Sequence, residues 1–252
     1  MKSEATTSRH FIESEKEMTT KPALAFACAH MTDERLYAHQ IAALQSTHDC
    51  RVFVFRDHDS MAGMAQQVLS AMPERFTWIG LSLGGYVAFE AIRCALPRLE
   101  RLVLMDTTAV ADHPARRQGR VKDIETVKQG GIEALIPELP SRWLLPAHVG
   151  NPALKELMSE MARSVSAKGQ FNQQTAMLAR PDSHADLATV RVPTLVMCGR
   201  QDPVTPLSDH EAMAACVPGA KLKVIESCGH LSTIEQPEAV TSELTQWLAA
   251  NH

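Results

Sequence analysis

The chain has 252 residues, a formal net charge of −4 and a hydrophobic content of 45%. This size suits one α/β domain that carries an insertion and buries a substantial core. The sequence has no basic run and no interleaved basic and aromatic residues, which argues against nucleic acid and anionic membrane as partners. Its first 20 residues are polar and charged, and no apolar run is long enough to span a bilayer, so we expect a cytoplasmic protein.

The predicted elements alternate between strands and helices along the chain, after an N-terminal extension of residues 1–20 that we expect to be flexible. Alternation of this kind is typical of a mostly parallel sheet flanked by helices, the α/β class. We predict helices at 34–46 and 60–72 and a third helix directly after the third strand. Six strands are predicted, at residues 23–29, 51–56, 76–79, 102–106, 193–199 and 222–226.

The third predicted strand leads into a GxSxG motif, Gly80-Leu81-Ser82-Leu83-Gly84, and a helix-compatible stretch follows it. Strand, tight turn and helix are the context in which this motif forms a nucleophile elbow. The turn holds the serine in a strained conformation with its Oγ exposed above the sheet, and the small residues let strand and helix pack closely. The sequence therefore predicts Ser82 as a nucleophile rather than as an ordinary capping serine.

A serine nucleophile needs a base to remove its proton and a group to orient that base. Asp202 follows the strand at 193–199 and His230 follows the strand at 222–226. Both therefore lie past the carboxyl ends of strands, which is the edge where sites form in an open parallel sheet. Asp106, at the end of the preceding strand, is the competing acid. We predict Asp202, because its loop is long enough to approach the histidine loop.

Between residues 107 and 190 the strand signal disappears and helical patterns interrupted by prolines take over. We therefore expect a core formed by residues 21–106 and 191–252, with residues 107–190 as a helical insertion. The helical patterns within it lie at residues 116–129, 132–139, 152–165 and 169–178.

On these motifs, the chain resembles enzymes of the α/β-hydrolase fold from about Pro22 to its C-terminus. The resemblance rests on GLSLGGY at the elbow, LVLMD in the next strand, GRQDPVTP around Asp202 and CGHLSTIEQPE around His230. The chain is most similar to small bacterial carboxylesterase-like members, a group that includes pimeloyl-carrier-protein methyl ester esterases. The resemblance implies that the insertion is a cap over the nucleophile. Members usually begin with two antiparallel hairpin strands, which we expect to be missing here.

The resemblance also implies an oxyanion hole made by two backbone N–H groups. One belongs to Leu83, the residue after the nucleophile. The other belongs to His30 in the loop after the first strand, with Met31 as the alternative. Cys28 and Ala29 stand where the family usually has His-Gly or Pro-Gly, and Ala adopts positive φ less readily than Gly. The His30 side chain is either a hydrogen-bonded loop histidine or a member of the pocket.

Candidate substrate-binding residues are Met31 in this loop and the apolar residues of the cap, in particular Trp143 and Leu144. Most apolar cap residues are expected to pack the cap onto the core, because a ligand pocket exposes only part of its apolar lining. The basic cluster of the first cap helix is expected to be a solvated helix face rather than a substrate clamp; its members are Arg116, Arg117, Arg120 and Lys122.

The resemblance implies a serine hydrolase that cleaves carboxylic esters of small or medium substrates through an acyl-enzyme. No cofactor is implied, because the sequence has no phosphate-cradling glycine loop, no HExxH and no Cys/His metal spacing. Lactones and thioesters are alternative substrates for the same triad. Two alternatives come from other classes: a small-molecule receptor, and a hydroxynitrile-type lyase on a hydrolase scaffold.

Overall fold

A computed structural model describes residues 21–250 of the protein. Six strands form one sheet in which every neighbouring pair is parallel, in the order β2-β1-β3-β4-β5-β6. The predicted six-stranded parallel sheet is therefore confirmed, and each strand boundary lies within three residues of its predicted position. The strands are β1 Ala23–Ala27, β2 Asp49–Phe53, β3 Phe76–Leu81, β4 Leu99–Met105, β5 Thr194–Gly199 and β6 Lys221–Ile225.

The strands in the middle of the sheet are rich in apolar residues because helices cover both faces of the sheet. Every residue of β1, β3 and β5 is buried. Successive side chains of a strand point to opposite faces, so Trp78 and Ile79 of β3 belong to different hydrophobic clusters on the two sides of the sheet. These two clusters form the core that supports the carboxyl edge of the sheet.

The helices agree with most of the predicted pattern, but the helix predicted at 34–46 begins with a 3-10 turn, Glu34–Tyr37, before an α-helix at Ala38–Leu44. The helix predicted at 132–139 is replaced by two short 3-10 turns, Ile132–Ala134 and Ile136–Glu138, and Leu139 begins the next helix. Pro137 in the second turn lacks the N–H that a continuous α-helix would use. The helices are α1 Ala38–Leu44, α2 Met61–Ala71, α3 Leu83–Ala95, α4 Pro114–Gly130, α5 Leu139–Trp143, α6 Pro152–Ala179, α7 His184–Leu187, α8 Leu207–Cys216, α9 Ser232–Glu235 and α10 Pro237–Ala249.

The proposed cap contains helices α4 to α7, and no strand lies between β4 and β5 in the described chain. Helix α6 is interrupted at Ser166, which has φ 71° and ψ 169°, so the two predicted helices at 152–165 and 169–178 are segments on either side of this break. The predicted N-terminal extension lies outside the described residues, and so does most of the region where hairpin strands would precede β1. Within residues 21–250, no helix is long and apolar enough to cross a membrane.

Candidate active site

Ser82 occupies the turn between β3 and α3 with φ 52° and ψ −109°. A positive φ is unfavourable for a residue with a Cβ and is typical of a strained functional position. Glycines allow the tight turn: a Cβ on Gly84 would lie 2.0 Å from the carbonyl oxygen of Ala27, and a Cβ on Gly80 would lie 2.4 Å from the carbonyl oxygen of Gly84. The backbone thus adopts the strand, turn and helix geometry that the motif predicts.

The structure brings Ser82, His230 and Asp202 into one hydrogen-bonded chain. Ser82 Oγ lies 3.0 Å from His230 Nε2, and His230 Nδ1 lies 2.8 Å from Asp202 Oδ2. All three residues are less than a tenth exposed. Asp202 is itself held by its own loop, since it accepts hydrogen bonds from the N–H of Val204 at 2.7 Å and from the hydroxyl of Thr205 at 2.6 Å. A fixed carboxylate of this kind can orient an imidazole.

The pKa shifts of Asp202 and His230 favour an ionised acid beside a basic imidazole. Burial would raise the pKa of Asp202, but the charge and hydrogen bond of His230, together with Thr205, lower it below its usual value. Burial likewise opposes the protonated form of His230, but the Asp202 carboxylate outweighs this and raises the pKa of the imidazole. Opposite charges at hydrogen-bonding distance stabilise each other's ionised forms.

Asp106, the competing acid, is fully buried and contacts both site loops rather than the His230 ring. Its Oδ1 accepts the N–H of Gly199 at 2.9 Å, and its Oδ2 accepts the N–H of Ser232 at 3.3 Å and the Ser232 hydroxyl. Burial and the nearby charge of Asp202 raise the pKa of Asp106 to about 7. Asp106 therefore connects the loop before Asp202 to the loop after His230.

Glu235 is a second buried carboxylate that the sequence analysis did not single out. Its side chain is fully buried, and its Oε1 accepts the N–H groups of Gly229 at 3.1 Å and Leu231 at 3.3 Å, the residues on either side of His230. Its Oε2 accepts the N–H of Leu145 at 2.8 Å and Nδ1–H of His148 at 2.8 Å. The carboxylate therefore joins the histidine loop to the segment that follows α5.

The geometry narrows the choice of oxyanion donors. Leu83 is the first residue of α3, so no carbonyl of that helix can accept its N–H. The N–H of Met31 donates to Oε1 of Gln173 at 2.9 Å. Because that N–H is already engaged, Met31 is the weaker of the two candidates and His30 stays the proposed second donor.

The His30 side chain is hydrogen-bonded on one nitrogen only. Gln173 Nε2 donates to the carbonyl of Phe55 at 2.7 Å, which orients Gln173 Oε1 to accept Nδ1–H of His30 at 2.7 Å. Burial and the charge of Arg120 lower the pKa of His30 to about 3, so the ring is neutral. Its Nε2 carries a lone pair, is buried and has no hydrogen-bond partner among the described residues. His30 is thus a loop histidine that also lines the pocket.

Two adjoining cavities open at this site. The inner cavity has a volume of about 60 Å³ and is lined by Ser82 and His230. The outer cavity has a volume of about 230 Å³ and is lined by Met31, while Trp143 lines both. Leu144, predicted as a substrate-binding residue, lines neither cavity. It follows the last residue of α5, and its buried side chain packs in a hydrophobic cluster.

The basic cluster of α4 is divided between solvent and the cavities. Arg117 and Lys122 are exposed, as expected for a solvated helix face. Arg120, with a side chain only 12% exposed, lines both cavities, and Arg116 lines the outer one. The expectation of a wholly solvated face was therefore wrong for two arginines, because the helical spacing of four residues places both on the side of α4 that faces the site.

No three His, Cys, Asp or Glu side chains within residues 21–250 are grouped so that they could hold a metal ion. The groups that the structure does bring together at the site are the hydroxyl, the imidazole, the carboxylates and the backbone N–H groups described above. Those groups are the parts of an acyl-transfer site.

Residues 27–243 match the model of the alpha/beta hydrolase family. The chain is 26% identical over 230 residues to 3-oxoadipate enol-lactonase 1 of Acinetobacter baylyi, covering 86% of this chain and 85% of the relative. It is 26% identical over 197 residues to the pimeloyl-[acyl-carrier protein] methyl ester esterase of Aliivibrio salmonicida, covering 73% of each. The solved structure of a malate-bound thermophilic esterase from Thermogutta terrifontis superposes with a TM-score of 0.83 at 30% identity, covering 91% of this chain and 90% of that one. The chain belongs to the alpha/beta hydrolase family.

Proposed function

We propose that the protein is a serine hydrolase that cleaves carboxylic esters of small or medium substrates. The observation that carries this proposal is the hydrogen-bonded chain from Ser82 Oγ through both ring nitrogens of His230 to Asp202 Oδ2, at 3.0 and 2.8 Å. Membership of a hydrolase family, and relatives named as esterases and lactonases, support the same chemistry.

The acylation step follows from the hydrogen bonds. Asp202 accepts Nδ1–H of His230, which leaves Nε2 with the lone pair that accepts the Ser82 hydroxyl proton. The Ser82 oxygen then attacks the ester carbonyl carbon, and the N–H groups of Leu83 and His30 hold the oxyanion that forms. The imidazolium passes its proton to the departing alcohol, and the acyl group stays on Ser82.

Deacylation repeats these roles with water as the nucleophile. His230 removes a proton from the water, which attacks the acyl carbon. As the intermediate collapses and the acid leaves, the imidazolium of His230 passes this proton to Ser82 Oγ. The buried Asp202 carboxylate stabilises the imidazolium in both steps. No group outside the described site is needed to balance the reaction.

A lactone is the second candidate substrate, and the enol-lactonase among the relatives favours it. The same steps open a lactone, with the difference that the alcohol stays attached to the acyl group. The inner cavity beside Ser82, of about 60 Å³, favours a small ring over a large one. A thioester would use the same triad, but no described residue favours sulfur as the leaving atom.

The test is a panel of p-nitrophenyl acetate, p-nitrophenyl butyrate and γ-lactones, measured with the wild type, Ser82→Ala and the exposed-serine control Ser70→Ala. The proposal predicts steady turnover of at least one substrate, lost in Ser82→Ala and kept in Ser70→Ala. A burst without steady turnover would instead indicate a receptor. Aldehyde release from a cyanohydrin without an acyl-enzyme would indicate a lyase.

A further inference from the structure

Three buried or half-buried guanidinium groups share one carboxylate beside the active site. Asp112, whose side chain is 1% exposed, pairs with Arg180 Nη2 at 2.8 Å, with Arg120 Nε, and with Arg116 Nη1 at 4.0 Å. Within residues 21–250, none of these arginines has another carboxylate within 4 Å. One negative charge against three positive charges leaves two positive charges uncompensated in a partly dehydrated region, where they are costly.

This excess positive charge lies at the cavities that contain the proposed nucleophile. Arg120 lines the inner cavity together with Ser82 and His230, and it also lines the outer cavity. Arg116 lies one helical turn earlier on α4 and lines the outer cavity. A group bound at Ser82 that extends outward therefore passes these two arginines.

The two arginines differ in how their N–H groups are used. Arg120 is held in place, because it donates to Asp112 and from Nη1 to Gln174 Oε1 at 3.0 Å. Arg116 donates from Nη2 to the carbonyl of Val204, while no described residue accepts a hydrogen bond from its Nε or Nη1. Arg120 thus provides fixed charge, and Arg116 provides N–H groups for an incoming anion.

The other polar groups of the outer cavity do not compete for an anion. Arg142 donates from Nη1 to both oxygens of Asp123 at 2.9 and 3.0 Å and from Nη2 to Glu138, so its charge is already engaged by carboxylates. His30 is neutral, and its free Nε2 is an acceptor that would favour a hydroxyl or N–H of the substrate. An anion in the outer cavity is therefore attracted to Arg116 and Arg120 rather than to Arg142.

We propose that Arg116 and Arg120 form an anion subsite, and that the substrates are small esters or lactones that also carry a carboxylate. This inference rests on the proposed function, since it places the scissile carbonyl at Ser82. It adds the chemical class of the substrate, which the hydrogen-bonded chain of the triad leaves open.

The first test compares two matched substrate series. Monomethyl esters of succinate, glutarate and adipate carry a free carboxylate. The matched half-amides keep the methyl ester but have a primary amide in place of the carboxylate, so they have the same shape without the charge. We expect kcat/KM for the best half-ester to exceed that of its half-amide by about tenfold to hundredfold, the range for a charge-assisted hydrogen bond. Equal or faster cleavage of the half-amide throughout the series would overturn the subsite.

Variants then locate the source of the preference. Arg116→Met and Arg120→Met should each reduce the ratio of half-ester to half-amide kcat/KM by at least about fivefold, because each removes one positive charge. Arg116→Lys and Arg120→Lys should keep part of the ratio. The matched control is Arg117→Met, an exposed arginine of the same helix, which should keep the wild-type ratio. Methionine variants that match this control would contradict the proposal.

A binding measurement separates this inference from the proposed function. Titration calorimetry of glutarate and adipate into Ser82→Ala needs no turnover, so it reports the subsite even if no ester is cleaved. We expect saturable binding that Arg116→Met, added to Ser82→Ala, weakens about tenfold and Arg117→Met leaves intact. Absence of binding, or binding unaffected by Arg116→Met, would overturn the subsite while leaving the esterase proposal standing.

Discussion

At the scale of single residues, backbone strain is concentrated at the candidate site. Four non-glycine residues with positive φ lie just beyond the carboxyl ends of strands. They are Met31 (φ 55°), Ser82 (52°), Asp106 (44°) and Ser227 (51°). The remaining non-glycine residue with positive φ in the described chain is Ser166, at the break in α6. Such conformations cost about 1–3 kcal/mol each and persist where the surrounding structure fixes them.

Asp202→Asn and Asp106→Asn distinguish the two acids. The Asp202 carboxylate accepts a hydrogen bond from Nδ1–H of His230. Without that carboxylate the imidazole adopts the wrong tautomer, which costs about 10⁴ in kcat in serine proteases. We expect a loss of about 10³ to 10⁴ in kcat for Asp202→Asn, and of less than about tenfold for Asp106→Asn, with folding checked by circular dichroism. A larger loss of kcat in Asp106→Asn than in Asp202→Asn would assign the acid to Asp106, directly after β4.

The acidic limb of the pH profile reports the imidazole. His230 must be neutral to act as a base, and its pKa lies above the ordinary value of 6.5, so activity should fall as the pH drops through a midpoint above 6.5. Removing the Asp202 charge disfavours the imidazolium and lowers the pKa of His230. In Asp202→Asn the pH profile of kcat/KM should therefore have its acidic midpoint at a lower pH. A wild-type midpoint at or below 6.5, or an unchanged midpoint in the variant, would contradict this assignment.

At the scale of elements, the histidine loop is bound to the C-terminal end of α5 and the segment after it, and not only to the sheet. Glu235 of α9 accepts N–H groups from Gly229 and from Leu145, and the N–H of His230 donates to the carbonyl of Trp143 at 2.7 Å. A carboxylate that accepts several backbone N–H groups holds both segments in one geometry. A displacement of the segment after α5 therefore changes the position of the imidazole.

Glu235→Ala should disturb both stability and activity. It leaves buried N–H groups without an acceptor, so we expect the free energy of unfolding to fall by about 3 kcal/mol and kcat to fall at least about tenfold. The control is Glu238→Ala, an exposed glutamate in the first turn of α10, for which the change should stay within about 0.5 kcal/mol. Urea unfolding provides the measurement. Equal stabilities for the two variants would refute the role of Glu235 in holding the two segments together.

At the scale of the whole molecule, local patterns predict the sheet and the order of the site residues. Ser82, Asp202 and His230 could be proposed together because each follows a recognisable buried strand, and parallel strands bring their carboxyl ends to one edge. The contacts of Asp112 and Glu235 could not be predicted. They join segments far apart in the chain, and a single carboxylate in a helix or loop gives no sequence signal for burial.

In the proposed cap, too, sequence patterns predict local structure but not the packing of distant segments. The positions of its helices follow from periodicity, except that two 3-10 turns, the second containing Pro137, replace the α-helix predicted at 132–139. Which face of α4 turns toward the core depends on how the insertion packs, and that packing depends on distant residues. The burial of Arg120 was therefore missed, and the solvated character of Arg117 was predicted.

The size of the enclosed site predicts its chain-length preference. An inner cavity of about 60 Å³, bounded by Tyr86, Met177 and Trp143, leaves little room beyond a short acyl group. We expect p-nitrophenyl butyrate to be cleaved at least about tenfold faster, in kcat/KM, than p-nitrophenyl palmitate presented as a monomer below its aggregation limit. Faster cleavage of the palmitoyl ester would show that the cap opens to a much larger pocket.

The central claim is that Ser82 is the nucleophile, and covalent labelling tests it most directly. A fluorophosphonate reacts with a serine only where a base activates the hydroxyl, the role proposed for His230, whose Nε2 lies 3.0 Å from Ser82 Oγ. Peptide mass spectrometry of the labelled wild type should place one adduct on Ser82, with none in Ser82→Ala and a greatly slowed reaction in His230→Ala. An adduct that persists in Ser82→Ala or forms on another serine would contradict the account.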